Sequence, residues 1–438
     1  MRRAADAVMH LLARLLIRIF FRRVELQHGD RLPQGVPVVL VANHLNGLVD
    51  GLLLMATLGR YPRFLGKSTL FKIPPLWPFL KLAGVIPVHR AIDGAAGDAN
   101  RSAFATSRAL LARNGLVAVF PEGISHNEVT LQPLRTGAAR IALEAAADGA
   151  TALVTVAVGL TYDAKARFRS RALVRVAEPV AIEPWVAAYR LDPQETVRRL
   201  TDDVARQLAD VSPPYESWAQ AEGLARMAEV VVRQPLDGLP KDVDLADQVA
   251  VTEQLARQDG QPSIPMSELR LAFAAYERDL TLLGISDGQL AADYPRARLR
   301  LSLAWSVLKV VASLPFAAVG VVVHVVPFQL MKQLAKKPTN EGIQATVKLL
   351  GCFVLFTLVY AALGYGVGRS FGAGWGALTA LGAPLCGYLA VRLAERVKRL
   401  GGVLEGYRIV RDRRAVLGTV KDRRLQVVRA AYAVLGWT

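Results

Sequence analysis

Several things are scarce in this chain, and each scarcity removes a class of function. Two cysteines stand in 438 residues. That excludes a disulfide scaffold, a four-cysteine zinc site and an iron–sulfur cluster. Aromatic residues make up only 7%, and no recognition motif accompanies the basic charge, so nucleic acid is not the expected partner. No serine lies in a nucleophile-elbow pattern, which leaves a covalent serine mechanism without support. Internal repeats and low-complexity tracts are absent. Acidic residues number 37 against 54 basic ones, for a net charge of +17. What is abundant is apolar: 52% of residues are hydrophobic and the mean hydropathy is +0.27. This composition excludes disorder and sets the chain apart from an ordinary soluble enzyme.

The charge is unevenly distributed. Residues 1–182 carry a net +11, residues 183–295 a net −10, and residues 296–438 a net +16. The basic excess lies beside apolar runs, the pattern of a protein held at an anionic membrane surface. Residues 1–30 are expected to form a basic amphipathic membrane-interface helix. Within it Val8, Leu11, Leu12, Leu15, Leu16, Ile19 and Phe20 recur at helical spacing between arginines. Two readings fit: an interfacial helix on lipid phosphates, or a core-packing helix with a basic outer face. Arg14 and Arg18 interrupt the apolar run, so a signal peptide is not read here.

Residues 31–182 alternate apolar, β-rich runs with helical pattern. Expected strands are Pro37–Ala42, Gly84–Val88, Leu116–Phe120, Ala152–Val158 and Ala172–Ala177, with helices at Ala103–Arg113 and Thr136–Ala147. Continuous apolar strands between helices indicate an α/β sheet flanked by helices on both faces. Residues 183–295 read as an acidic helical soluble region without a catalytic constellation. Residues 296–438 read as a membrane-embedded helical region with a basic tail. Leu349–Gly368 and Ser370–Val391 are of spanning length, and Val310–Met331 contains no Asp, Glu, Lys or Arg. Pro315, Gly320 and Pro327 allow that run to dip in and return, and the positive-inside pattern favours this over a third span.

Three segments of the α/β region carry chemistry. The first is Asn43-His44-Leu45-Asn46-Gly47-Leu48-Val49-Asp50, at the C-terminal edge of an expected strand, where ligand and catalytic groups gather. His44 and Asp50 meet only if His44 sits in the turn and Asp50 in the first turn of the next helix. A carboxylate that orients an imidazole makes it a general base for a hydroxyl. The alternative is a structural histidine that caps the turn. The second segment is Phe120-Pro121-Glu122-Gly123-Ile124-Ser125-His126, also after an apolar strand. The third is Gly84–Arg90, where Arg90 can hold a phosphate by a bidentate fork. Lys67 and Arg135 are further cationic candidates.

Taken in order, these blocks and the apolar strand Val154–Gly159 resemble the four motifs of the glycerolipid acyltransferases, over roughly Phe20–Glu183. The five residues between His44 and Asp50 match a subgroup with His-x-Asn-x-Leu-Val-Asp. That subgroup is associated with acylation of glycerol 3-phosphate, dihydroxyacetone phosphate or lysophosphatidate. The resemblance implies that His44 and Asp50 are the catalytic dyad. It further implies that Arg90, Glu122 and Gly123, with Arg135, Ser125 and Lys67, hold the acceptor phosphate.

The implied partners are acyl-CoA or acyl-carrier protein as donor, glycerol 3-phosphate or lysophosphatidate as acceptor, and anionic membrane lipids. Neither a metal nor another cofactor is required. The expected setting is the cytoplasmic membrane, with the site on its cytoplasmic face. Backbone N–H groups of the catalytic loop or of Gly123 are expected to stabilise the oxyanion. Lysophospholipid remodelling, or a catalytically inactive scaffold on the same fold, are the competing expectations.

Overall fold

A computed structural model describes residues 2–73, 76–89, 100–165, 167–233, 238–260, 263–336, 344 and 346–437. The chain divides into two compact units. The first comprises residues 1–213 and 333–351, the second residues 214–332 and 352–438.

The first unit is built on an eight-stranded mixed sheet. Its strands are β1 (Phe21–Gln27), β2 (Val38–Ala42), β3 (Arg63–Lys67), β4 (Ile86–Val88), β5 (Leu116–Val119), β6 (Val154–Tyr162), β7 (Ser170–Val176) and β8 (Val180–Ala181). The order is β1-β7-β6-β2-β5-β3-β4, with β8 on β6. Five pairings are parallel; β6 runs antiparallel to β7 and β8. Every residue of β2 and β5 is buried, which is why both read as unbroken apolar runs. Helices α1 (Arg2–Phe20), α2 (Leu48–Thr57), α3 (Trp77–Ala83), α4 (Arg101–Leu111) and α5 (Gly137–Ala147) flank the sheet, followed by α6 (Glu183–Leu191) and α7 (Pro193–Asp210).

Two differences from the sequence reading arise here. The basic helix stops at Phe20, and Phe21–Gln27 continues directly as strand β1. In addition, the sheet unit extends past residue 182 to Pro213. The reason is α7: its Val197, Leu200, Val204 and Leu208 join the core formed by β2, β5 and α5. The acidic region is thereby cut in two.

Helix α1 has two apolar faces. Met9, Ala13, Leu16, Ile17 and Phe20 are buried, and α1 packs on α2 and α3. Val8, Leu11, Leu15 and Ile19 are exposed, Leu11 by 70%. The core-packing reading therefore holds for one face, while the other keeps the apolar surface that an interfacial helix requires.

The second unit contains α8 (Trp218–Val232), α9 (Leu245–Asp259), α10 (Ile264–Leu283) and the short α11 (Asp287–Leu290). Long helices follow: α12 (Arg296–Leu334), α13 (Cys352–Phe371), α14 (Ala373–Asp412) and α15 (Arg414–Leu435). Helices α12, α14 and a 25-residue stretch ending in α13 are long and apolar enough to cross a membrane. Val310–Met331 does not turn back. Pro315 and Pro327 both lie inside the continuous α12, where neighbouring helices make such residues tolerable. Small residues set the packing: a Cβ on Gly320 would lie 2.1 Å from the Cys386 carbonyl oxygen, so only glycine lets those backbones meet. His324 crosses the same bundle, with its Nε2 2.6 Å from the Tyr360 hydroxyl.

Candidate active site

Strand β2 lies between β5 and β6 and runs parallel to both. Their C-terminal ends therefore adjoin, and polar contacts of the two central motifs meet there. Asn43, just past β2, takes over the role of a strand residue. Its Nδ2 donates to the Leu160 carbonyl at 3.0 Å and its Oδ1 accepts the Leu160 N–H at 2.7 Å. This fixes the start of the loop that bears His44.

His44 Nδ1 lies 2.9 Å from Asp50 Oδ2. The six-residue interval closes as the spacing demands: Gly47, at φ +55°, ends the turn, and Asp50 sits in the first turn of α2. Asp50 is completely buried. Its Oδ2 also accepts the Asn46 N–H at 2.7 Å, and its Oδ1 accepts the Tyr162 hydroxyl. The His44 ring stacks on Phe120, with centroids 4.1 Å apart, and Phe120 stacks on Phe64. Carboxylate and stacked rings together fix the imidazole's plane and direction. Among the described residues no hydrogen bond engages Nε2, the nitrogen opposite Asp50. That nitrogen is therefore available to take a proton.

Glu122 is turned into the protein. Its Oε1 accepts the His44 N–H at 2.7 Å, and its Oε2 accepts the Gln132 N–H at 2.8 Å and lies 2.5 Å from His126 Nε2. A buried carboxylate so occupied is ill suited to the expected contact with a phosphate, whose charge has the same sign. Its geometry is that of a clamp between the two motif loops. Ser125 adds a second tie, since its Oγ accepts the Gly47 N–H at 3.0 Å. Lys165, itself buried, donates from Nζ to Asn127 Oδ1 at 3.0 Å and holds the far side of the loop.

The backbone donors expected for the oxyanion are largely engaged elsewhere. The N–H groups of His44, Asn46, Gly47, Leu48 and Gly123 all have protein acceptors. A donor already bonded inside the protein is not aimed at a developing charge.

Gly123 and Arg135 are brought together. Gly123 has φ +74°, and a Cβ there would lie 2.6 Å from Arg135 Nε. The glycine thus gives the Arg135 side chain room to cross the loop, and the Arg135 N–H anchors to the Pro121 carbonyl at 2.8 Å. Lys67 ends β3 and pairs with Val88 of β4, the strand that leads toward Arg90. Arg90 itself lies outside the described residues.

A family model described as Acyltransferase matches residues 23–159. Glycerol-3-phosphate O-acyltransferase 2 of Saccharomyces cerevisiae is 27% identical over 254 residues, covering 56% of this chain and 33% of that one. Glycerol-3-phosphate O-acyltransferase 1 of the same yeast is 26% identical over 190 residues, covering 37% and 25%. Residues 23–159 are thus similar to acyltransferases, and both yeast relatives are glycerolipid acyltransferases. The match spans a third or less of the length of these two yeast acyltransferases. Among solved structures, the 1-acyl-sn-glycerophosphate (LPA) acyltransferase PlsC from Thermotoga maritima aligns with a TM-score of 0.37 and 18% identity. The alignment covers 49% of this chain and 83% of that one.

Within this acyltransferase domain, sequence reasoning misses Tyr162, the clamp role of Glu122 and His126, and Lys165. One signal for Tyr162 was present. It is a polar aromatic residue at the C-terminal end of an apolar strand, the position at which α/β sheets collect functional groups.

Proposed function

We propose that this protein is a membrane-bound acyltransferase of phospholipid synthesis, moving a fatty acyl group from a thioester donor to a glycerol-phosphate hydroxyl. Acyl-CoA or acyl-carrier protein is the donor. Glycerol 3-phosphate or 1-acylglycerol 3-phosphate is the acceptor. The observation that carries the reading is the 2.9 Å contact between His44 Nδ1 and Asp50 Oδ2 at the end of β2, with Nε2 left unbonded among the described residues.

The chemistry follows from that contact. Asp50 accepts a hydrogen bond from Nδ1–H and fixes the tautomer that leaves Nε2 basic. Nε2 takes the acceptor's hydroxyl proton as the oxygen attacks the thioester carbonyl. The tetrahedral intermediate then collapses and expels the thiolate, which receives a proton from the imidazolium. Arg135, whose side chain crosses Gly123, binds the acceptor phosphate together with Arg90 and Lys67. Holding the phosphate brings hydroxyl and carbonyl into reacting distance. Ser125 keeps a hydroxyl hydrogen to donate while its oxygen accepts from Gly47, and this makes it a donor for the oxyanion. The exposed apolar face of α1, between its arginines, seats the domain at the headgroup level of the cytoplasmic leaflet, where donor and product chains partition.

The test is acyl transfer by the purified full chain in anionic phospholipid vesicles. Glycerol 3-phosphate and lysophosphatidate are compared as acceptors, each with acyl-CoA and acyl-carrier protein. Transfer to one or both acceptors, abolished by His44→Ala, is the expected result. Undiminished turnover in His44→Ala would refute the base assignment. Transfer only to lysophospholipids with an esterified headgroup would replace synthesis with remodelling.

A further inference from the structure

Tyr162 closes β6, the strand beside β2, and is 112 residues from Asp50 in sequence. Its hydroxyl donates to Asp50 Oδ1, the oxygen that His44 does not use. Its ring stacks on Phe21, with centroids 5.7 Å apart and planes 21° apart. Phe21 is 1% exposed and is the first residue after α1. The same junction is held from the β6–β7 turn: Arg169 Nη1 donates to the carbonyls of Arg18 at 2.9 Å and Phe21 at 3.0 Å. Phe168 meets Phe20 edge to face.

We propose that Tyr162 is a positioning residue for the His44–Asp50 pair, and that Phe21 holds it in place at the junction of α1 with the sheet. The inference rests on the function proposed for His44. A carboxylate bonded through one oxygen can rotate about its terminal torsion, which is broad and roughly two-fold. With Oδ1 held by Tyr162 and Oδ2 by the Asn46 N–H, Asp50 keeps one orientation, and His44 is presented in one direction. An unpartnered Oδ1 in a fully buried site would also leave polar capacity unsatisfied.

Burial, followed by the negative charge of Asp50, pushes the Tyr162 hydroxyl well above the usual tyrosine range. It therefore remains a protonated donor wherever the enzyme works. Donation also draws charge from Asp50, so less negative charge faces the imidazolium. Loss of the hydroxyl makes the imidazolium easier to form and moves the acidic limb of the kcat/KM profile to higher pH.

Tyr162→Phe in the full-length protein tests this. The expected result is a loss of about tenfold or more in kcat, as for other groups that orient a functional side chain. The acceptor KM stays near its original value, and the acidic limb moves upward. Phe21→Leu keeps the hydroxyl but removes the ring beneath it, and gives the same two changes with smaller amplitude. It also serves as the test should Tyr162→Phe fail to fold.

Unchanged kcat and an unchanged pH profile in a folded Tyr162→Phe protein would overturn the inference. So would a pure rise in KM, or a loss of activity that follows the loss of folded protein without any shift in the profile. Asp50→Asn separates this failure from failure of the underlying reading. If Asp50→Asn is fully active, the dyad itself falls. If it is inactive while Tyr162→Phe behaves as the original protein, only the role of Tyr162 falls.

Discussion

Two buried aspartates, one in each unit, are built from nearly the same parts. Asp50 accepts a tyrosine hydroxyl on Oδ1 and faces an imidazole on Oδ2. Asp287 accepts the Tyr276 hydroxyl at 2.7 Å and the Arg424 Nε at 2.8 Å on Oδ1, and pairs with Arg233 Nε at 2.8 Å through Oδ2. The difference lies in the basic partner. Both guanidiniums are permanently charged, almost wholly buried and committed to further acceptors. Arg424 donates to the carbonyls of Val230 and Arg233, and Arg233 donates to Glu229 and the Lys241 carbonyl. The imidazole is titratable and has a second nitrogen without a partner among the described residues. Buried charge alone therefore does not mark a reaction centre. A buried carboxylate becomes catalytic apparatus when its partner can give and take a proton on the side turned away from it.

This contrast predicts opposite outcomes for the two clusters. His44→Ala should lower the rate of acyl transfer by about 10³-fold or more, near the upper range for general-base help. Its unfolding temperature should fall less than that of Asp287→Ala, because Asp50 loses the imidazole but keeps the Asn46 N–H and the Tyr162 hydroxyl. Asp287→Ala should do the reverse. It strands two buried guanidiniums and should destabilise the second unit by about 3–5 kcal/mol. Acyl transfer per folded molecule should stay unchanged. Thermal unfolding with parallel initial-rate assays on both variants reads this out. A catalytic defect in folded Asp287→Ala protein would break the distinction.

How far the sequence revealed these clusters depends on the reach of each signal. His44 and Asp50 were legible because six residues suffice to propose a turn and a helix start. β2 and β5 were legible because full burial makes them continuous apolar runs, and β6 because its six central residues are buried. β1 was not. Its Phe-Arg-Arg-Val-Glu-Leu-Gln follows α1 without a break, and its exposed arginines prolong the basic helical pattern. β3 was missed because only Phe64 among its five residues is fully buried. The partners of Asp50 and Asp287 from distant segments were invisible for a more general reason. Tyr162 and Arg424 reach their aspartates across 112 and 137 residues, and no local periodicity encodes such meetings. The prolines of α12 misled in another way, since they permit a break but do not dictate one.

A smaller effect is expected where the first unit imitates the second. Glu122 is a fully partnered carboxylate, like Asp287, yet one of its partners is the His44 backbone. Glu122→Gln keeps the shape but places an NH₂ group against N–H donors that need an acceptor. It should cost about 1–3 kcal/mol of stability, the penalty for buried groups left unsatisfied. It should also lower kcat by about tenfold through the catalytic loop. Unlike either aspartate, Glu122 should thus move both readouts together. A change in stability alone would assign it to the structural class. An increase confined to the acceptor KM would return it to the phosphate site.

A stability difference that is small at neutral pH grows in alkali, and there the two clusters should converge. Burial, and then the adjacent aspartate, raises the hydroxyls of both Tyr162 and Tyr276 above the ordinary tyrosine value of 10.0; burial also pushes Tyr294 up to about 12. A neutral tyrosine favoured by the fold contributes stability that is fully present below the unfolded value. As pH rises beyond about 10, the unfolded chain ionises and the folded one does not, so that contribution shrinks until the folded value is reached. Stability should therefore be flat with respect to these groups up to about pH 9 and decline steeply above 10. Tyr276→Phe removes one titrating hydroxyl from the second unit, and Tyr162→Phe one from the first. Each should flatten the alkaline decline, but only Tyr162→Phe should also change the pH dependence of turnover. A hydroxyl bonded to a structural carboxylate affects unfolding alone, whereas one bonded to the carboxylate behind a catalytic base affects both.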